Sequence, residues 1–317
     1  MPATSPGARG ATITGWGSAL PSKVVTNADL ARTLDTSDEW IKERSGIAER
    51  RVGGSTAELS IESARRALAK SGVDPSEIDA LVLSTTTPDR TVPATSARVQ
   101  NALALTCGAF DVNAACSGFV YALTVAHGLI AIGARKVLVI GTDTLSRITD
   151  WTDRNTAVLF ADGSGAVVLE ACDGPGQLLA WDIDSDGSAE ELLYSDIGGH
   201  IHMEGKEVFR RAVRIMVDSA QKSLTAAGVS AENISLVVPH QANIRIIEAA
   251  CERLGIPMER AATVLRYTGN TSSASIPLAL VDALDAGRVH AGDLVLLVGF
   301  GAGMTAGSAV LRWGGST

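Results

Sequence analysis

Apolar residues alternate with small and polar ones through Ala11-Thr12-Ile13-Thr14-Gly15-Trp16-Gly17-Ser18, and this period of two predicts a strand ending in a turn. The stretch Asn27-Ala28-Asp29-Leu30 predicts a helix start with Asn27 as its cap. Over residues 56–71 the apolar positions Leu59, Ala64, Ala67 and Leu68 recur at helical spacing and predict a long helix. Residues 78–84 run apolar with little interruption, the signature of a strand buried in a parallel sheet. A short strand at 109–112 precedes Phe119, Leu123, Ala126 and Ile130, which return to helical spacing, and 136–143 predicts another strand. Residues 157–169 read as two strands joined by a glycine turn.

Residues 171–206 are rich in Asp, Gly and Ser and suit a linker or lid. Beyond them the plan of the first half recurs. Helices are predicted at 206–227, 244–254 and, rich in small residues, 270–286; strands are predicted at 234–239, 294–298 and 306–312. The repeated plan divides the chain into a flexible tail (residues 1–10), an N-terminal half (11–171) and a similar C-terminal half (172–317), each built around a buried sheet.

Composition narrows the class. With 46% hydrophobic residues, 20% charged residues and 32 glycines in 317, the chain suits a well-buried α/β protein with many tight turns. No apolar run approaches a membrane span; residues 294–298 have strand length. A net charge of −8 argues against broad nucleic-acid binding. The four cysteines show no paired spacing, so Cys107, Cys116, Cys172 and Cys251 read as free thiols in a reducing, cytoplasmic compartment rather than as disulfides or metal ligands. The first residues lack the apolar core of a signal peptide.

Cys116 is the first candidate for chemistry. It stands between a strand and a helix, where unpaired N–H groups and the helix dipole favour a thiolate. Alone, it reads equally as a small buried hydrophobe. Trp40 and Arg44 are four apart on one predicted helical face and could hold a flat ring, or be a half-buried indole beside a solvated cation. In the second half, His240 follows a strand in Pro239-His240-Gln241-Ala242-Asn243, Asn270 stands at a predicted helix start, and Gly299-Phe300-Gly301-Ala302-Gly303-Met304 can bring backbone N–H groups close to a ligand. Singly, these read as a structural histidine, a helix cap and a tight turn.

Together, and in this order, the motifs Thr36-Ser37-Asp38-Glu39-Trp40-Ile41, Ala115-Cys116-Ser117-Gly118-Phe119, Pro239-His240-Gln241-Ala242-Asn243 and Gly269-Asn270-Thr271-Ser272 resemble the condensing enzymes of the thiolase fold, and most closely β-ketoacyl-acyl-carrier-protein synthase III. The resemblance runs over residues 11–313. It implies an α/β thiolase-like fold, two similar halves in a five-layered α-β-α-β-α architecture. It also implies a decarboxylative Claisen condensation of an acyl-CoA starter with malonyl-acyl-carrier protein, without cofactor or metal. Cys116 would carry the acyl group, His240 and Asn270 would stabilise the enolate, and the backbone N–H groups of Cys116 and Ala302 would form the oxyanion hole. The chain has Ala302 where many relatives have glycine; a main-chain donor tolerates that change.

Trp40 and Arg154 would clasp the adenine of coenzyme A, with Arg44 near its phosphates. Val92, Phe160 and Phe300 would line the acyl pocket, Val92 reaching into the other subunit of a homodimer. Carrier-protein docking would fall on Arg210, Arg211, Arg245 and Arg253. Position 92 is often a bulky aromatic in straight-chain enzymes, so Val92 predicts room for a longer or branched starter. Between Glu191 and Glu204 the chain is shorter than the family pattern, which bears on the cap of the pocket. The other readings are a starter-unit ketosynthase or acyltransferase of polyketide biosynthesis and a non-catalytic acyl-carrier-binding protein; the intact Cys/His/Asn set speaks against the last.

Overall fold

The computed structural model describes residues 9–314. The tail expected at residues 1–10 lies outside the described residues up to residue 8, and Gly10 already opens a strand. Strands β1 (Gly10–Ala19), β2 (Ala80–Ser84), β3 (Gly108–Val112), β4 (Lys136–Thr144) and β5 (Asp162–Cys172) form one sheet in the order β1-β5-β4-β2-β3. Strands β6 (Leu178–Ser185), β7 (Leu236–Pro239), β8 (Leu294–Gly301) and β9 (Thr305–Arg312) form a second in the order β7-β8-β9-β6. In each sheet a parallel core is extended by antiparallel strands: β2 pairs in parallel with β3 and β4, and β7 with β8. The parallel strands β2, β4, β7 and β8 are buried along almost their whole length, while the edge strand β3 has no buried residue.

The helices stack these sheets into layers. Helices α2 (Thr56–Ser71) and α3 (Thr95–Ala102) cover the outer face of the first sheet; α4 (Gly118–Ala131) and α7 (Ser275–Asp285) lie between the sheets; α5 (Gly205–Ala227) and α6 (Ile244–Leu254) cover the outer face of the second. A further helix, α1 (Asp38–Ser45), carries Trp40. The result is the five-layered α-β-α-β-α arrangement expected from the resemblance. Its central core packs Phe119, Leu123, Ala126, Ile276 and Leu280 of the inner helices against Val82, Val139 and Val167 of one sheet and Val238, Val295 and Leu297 of the other. Burying one such side chain contributes about 1.5–3 kcal/mol, so this cluster carries much of the stability.

Local signals fix the ends. Ser55 and Glu58 form a capping box at the start of α2, and Gly72 ends it at φ 72°. Asn243 caps α6 by accepting from the Arg245 N–H at 2.9 Å. The cap expected at Asn27 is taken instead by Thr26, which accepts from the Asp29 N–H. The Asn27 side chain is drawn inward, donating to Asp38 and to the Ile47 carbonyl and accepting from Arg50 at 2.8 Å.

Three expectations for longer segments are corrected. Residues 157–169 do not form a hairpin: a one-turn helix ends at Ala157, and β5 runs through both glycines. Those glycines admit α7, since a Cβ on Gly165 would lie 2.6 Å from the Pro277 Cβ, and one on Gly163 2.9 Å from a Leu278 methyl. Residues 171–206 are more than a linker. They hold β6, an edge strand whose sequence is broken up by Asp182, Asp184 and Ser185, and a short ribbon pairing Leu193–Tyr194 with His202–Met203. Asn270 does not begin a helix; it bridges to Phe160, and α7 starts only at Ser275, after a 3-10 turn over Ser272–Ala274.

Candidate active site

The strand β3 delivers the chain to Asn113, a tight turn over Ala115–Ser117 follows, and α4 begins at Gly118. Cys116 is in that turn, buried at the wall of a cavity of about 960 Å³. Gly301 packs directly on it: a Cβ there would lie 2.6 Å from the Cys116 backbone N, which is why this position needs glycine. Thr305 ties the two segments together, its hydroxyl donating to the Ala114 carbonyl at 3.0 Å and meeting the Ser117 hydroxyl at 2.8 Å.

The next glycine of the same strand brings in the histidine. A Cβ on Gly299 would lie 3.5 Å from both the Cys116 carbonyl and the His240 Cβ, so the two residues converge on β8 at one spot. His240 is buried, its Nδ1 is 2.6 Å from the Ser275 hydroxyl, and Phe300 packs edge-on against its ring at 5.4 Å. Burial pulls its pKa down to about 3, so the ring is neutral at physiological pH. In the tautomer in which Ser275 donates to Nδ1, Nε2 carries the proton and is a hydrogen-bond donor; in the other, Nδ1 donates to the serine oxygen.

Asn270 is held by its backbone and its side chain together. Its N–H donates to the Leu159 carbonyl and its carbonyl accepts from the Ala161 N–H, both at 2.9 Å. Its Oδ1 accepts from the Ser272 N–H at 3.0 Å. Ser272 lines the same cavity as Cys116, and its side chain acts to lower the pKa of the thiol. Three of the four described non-glycine residues with positive φ, Ala115, Ser272 and Met304, lie in the three segments that meet here. Such conformations cost on the order of 1–3 kcal/mol each and concentrate at functional sites.

The thiol itself departs from the expectation of a thiolate. Burial, foremost, pushes its pKa up to about 12; Asp143 raises it further, while the Ser272 hydroxyl opposes. A rise of that size corresponds to roughly 4 kcal/mol against the charged form, whereas a helix N-terminus returns about 0.3–1 kcal/mol. The resting thiol is therefore protonated.

The other expected residues divide. Phe160 lines the Cys116 cavity with Leu145, Ile148 and Ile201. Phe300 is on His240 instead, and Val92 is 80% exposed. The segment between Glu191 and Glu204 forms the cavity's outer wall through residues 193–201, with Ile197 fully exposed. Trp40 is flanked by two guanidinium groups, Arg154 at 4.8 Å and Arg44 at 5.7 Å from the ring centroid. It opens onto a second cavity of about 840 Å³ with Arg44, Lys206, Phe209, Asn243 and Arg245. Arg245 stacks over Phe209 at 5.4 Å, bringing α6 beside the start of α5. Arg210 and Arg211 are on α5 but each is already paired with Glu207 at 2.7 Å. Arg253 sits eight residues beyond Arg245 on α6, about 12 Å away along the axis.

Comparison with known proteins identifies the family. Residues 110–187 match the family model described as 3-oxoacyl-[acyl-carrier-protein (ACP)] synthase III, and residues 224–313 match its C-terminal model. A β-ketoacyl-[acyl-carrier-protein] synthase III of Roseiflexus castenholzii is 48% identical, covering 96% of this chain and 98% of that protein. The chain belongs to the β-ketoacyl-acyl-carrier-protein synthase III family. The crystal structure of the family member from Aquifex aeolicus superposes with a TM-score of 0.94 at 45% identity, over 96% of this chain and 100% of that one. The priming β-ketosynthase of the R1128 polyketide pathway superposes at 0.92 with 36% identity, over 97% of each chain. The family read from the four motifs is thus borne out.

Two residues of the site were not singled out from sequence, Ser272 at the thiol and Ser275 on His240. The signal available was the hydroxyl-rich run Thr271-Ser272-Ser273 leading into Ser275, unusual at the head of an otherwise apolar buried helix.

Proposed function

We propose that the chain catalyses the decarboxylative Claisen condensation that initiates fatty acid synthesis, with Cys116, His240 and Asn270 as the catalytic residues. Cys116 attacks the thioester of an acyl-CoA starter; the acyl group passes to sulfur, and coenzyme A leaves as the free thiol with the proton. Malonyl-acyl-carrier protein then loses CO2, and its electron pair becomes an enolate on the thioester oxygen. His240 Nε2–H and the Asn270 amide donate to that oxygen, two neutral donors in a dry site, so the step needs neither metal nor cofactor. The enolate carbon attacks the acyl-Cys116 carbonyl, the backbone N–H groups of Cys116 and Ala302 receive the oxyanion, and its collapse breaks the C–S bond, releasing β-ketoacyl-acyl-carrier protein and the Cys116 thiolate, which takes up a proton.

The observation that supports this most is the meeting of Cys116 and His240 at Gly299, on a strand whose Gly301 is pressed against the Cys116 N–H. Burial holds His240 neutral, and a neutral imidazole can still donate through its one N–H to an enolate. Coenzyme A is assigned to the Trp40, Arg44 and Arg154 cluster, and the carrier protein to Arg245 with Arg210, Arg211 and Arg253 around it. The exposed Val92 suits contact with a second subunit of a cytoplasmic homodimer whose two halves divide near residue 172. The likeness to the R1128 priming ketosynthase favours one second reading, a starter-unit enzyme of polyketide synthesis using the same thiol.

Incubation with a panel of acyl-CoAs, followed by intact mass, tests the proposal. A single acyl increment lost in Cys116→Ala is the expected result, and the acyl group accepted most readily names the starter. An increment that survives Cys116→Ala rules the assignment out.

A further inference from the structure

Asp143 stands near the end of β4, fully buried, with its two carboxylate oxygens engaged in opposite directions. Oδ1 accepts from the Thr85 hydroxyl at 3.0 Å, from the N–H and hydroxyl of Thr86 at 2.7 and 2.9 Å, and from the N–H and hydroxyl of Thr87 at 3.1 and 2.9 Å. Oδ2 accepts from the N–H and hydroxyl of Ser273 at 3.0 and 2.7 Å. Every one of these donors is a hydroxyl or a backbone amide, so the carboxylate acts as a fixed acceptor rather than as half of an ion pair.

The two groups of donors come from different segments beside the same cavity. Thr86 and Thr87 line it. Ser273 follows Ser272, which also lines the cavity and supplies the N–H that holds the Asn270 amide. Ser272 has φ 49°, a conformation that persists in a residue other than glycine only where its surroundings over-determine it. The anchoring of Ser273 on one side and Asn270 on the other is that over-determination. We propose that Asp143 is a positioning residue of the condensation: one oxygen grips the Thr85–Thr87 loop, the other grips the Ser273 turn, and together they fix the Asn270 amide relative to Cys116. This rests on the reading of Asn270 as an enolate donor.

An asparagine of the same shape cannot replace it. Whichever way its amide is turned, one end presents N–H groups to a set of donors, and either the threonine loop or the Ser273 turn is released. The charge has a second consequence. Asp143 is the charged group that acts on the Cys116 thiol and raises its pKa. The groups around it are His240, neutral by burial, and Asp162, whose carboxylate is turned to Ser146 and the Gly53 N–H. Removing the Asp143 charge therefore eases ionisation of the thiol even as it loosens Asn270.

The test measures the two half-reactions separately on the full chain, with Asp143→Asn and Ser273→Ala beside the wild type: acyl transfer to Cys116 by intact mass, and CO2 release from malonyl-acyl-carrier protein. Asp143→Asn is expected to lose at least about tenfold in kcat for CO2 release with KM within about twofold, the pattern of an interaction made only in the transition state. Its pH midpoint for alkylation of Cys116 by iodoacetamide is expected below the wild-type value. Ser273→Ala, which keeps the backbone N–H, is expected to show a smaller loss of kcat at an unchanged melting temperature. Unchanged kcat in both variants, or a loss that merely follows the melting temperature, overturns the inference. If Asp143→Asn does not fold, Ser273→Ala decides alone. A wild type that releases no CO2, or an Asn270→Ala variant that releases it normally, is instead a failure of the condensation reading.

Discussion

The Ser275 hydroxyl lies 2.6 Å from Nδ1 of His240 and fixes which ring nitrogen is left for the substrate. Ser275 is the first residue of α7, the inner helix whose own start is set by the Ser272–Ala274 turn. The orientation of the histidine and the position of Asn270 are thus set by one segment. For that reason His240→Ala and Asn270→Ala are expected to accept the acyl group from acyl-CoA yet release CO2 from the malonyl donor at least about 100-fold more slowly. Normal CO2 release by either variant excludes its role as enolate donor.

The pH behaviour follows from burial. The folded pKa of His240 is depressed to about 3 from an ordinary 6.5, so the unfolded chain binds this proton more readily. Between those values stability rises with pH; the contribution is complete above about 6.5 and declines as pH falls toward 3. Urea unfolding at pH 7 and pH 5 is expected to show lower stability at pH 5, and His240→Gln is expected to reduce that difference. CO2 release from preformed acyl-enzyme is expected to show no loss attributable to His240 protonation down to about pH 5.

Gly301 and Ala302 are neighbours with opposite tolerance. Gly301→Ala places a methyl 2.6 Å from the Cys116 backbone N, which cannot move without shifting the thiol. Acyl transfer is expected to fall at least about tenfold. Ala302→Gly leaves the main-chain donor in place and is expected to retain activity within about twofold. Equal kinetics for the two variants would falsify the oxyanion-hole assignment.

Trp40 is held between Arg154 and Arg44. Loss of a ring that stacks on a ligand removes on the order of 1–2 kcal/mol, so Trp40→Ala is expected to raise the KM for acyl-CoA about five- to thirtyfold. The KM for malonyl-acyl-carrier protein is expected to change far less. A parallel rise in both would locate coenzyme A elsewhere.

Strong local patterns made much of the fold legible. The helix at 56–71 carries its capping box and its terminal glycine within the sequence, and the strands around residues 80 and 295 are apolar because they are buried on both faces. The failures share a cause. Gly163 and Gly165 look like a turn because their reason for being glycine, the approach of Pro277 and Leu278, comes from more than 100 residues away. The edge strand β6 carries Asp182, Asp184 and Ser185, and only its pairing with β9 makes it a strand.

The same division holds for the site. The sequence by itself determined the family, through the resemblance of four short motifs, taken in order, to those of the condensing enzymes. It also placed Cys116 and His240 at the ends of elements, where side chains can meet a ligand, whereas the helix start it expected at Asn270 is not there. Only the tertiary structure decided the state of those groups. The thiol is protonated and the imidazole neutral because burial in a common interior outweighs the local helix dipole. The approach of Cys116 to Gly301, the Ser275 contact and the grip of Asp143 on Ser273 link residues 35 to 185 positions apart, and no local pattern encodes such contacts.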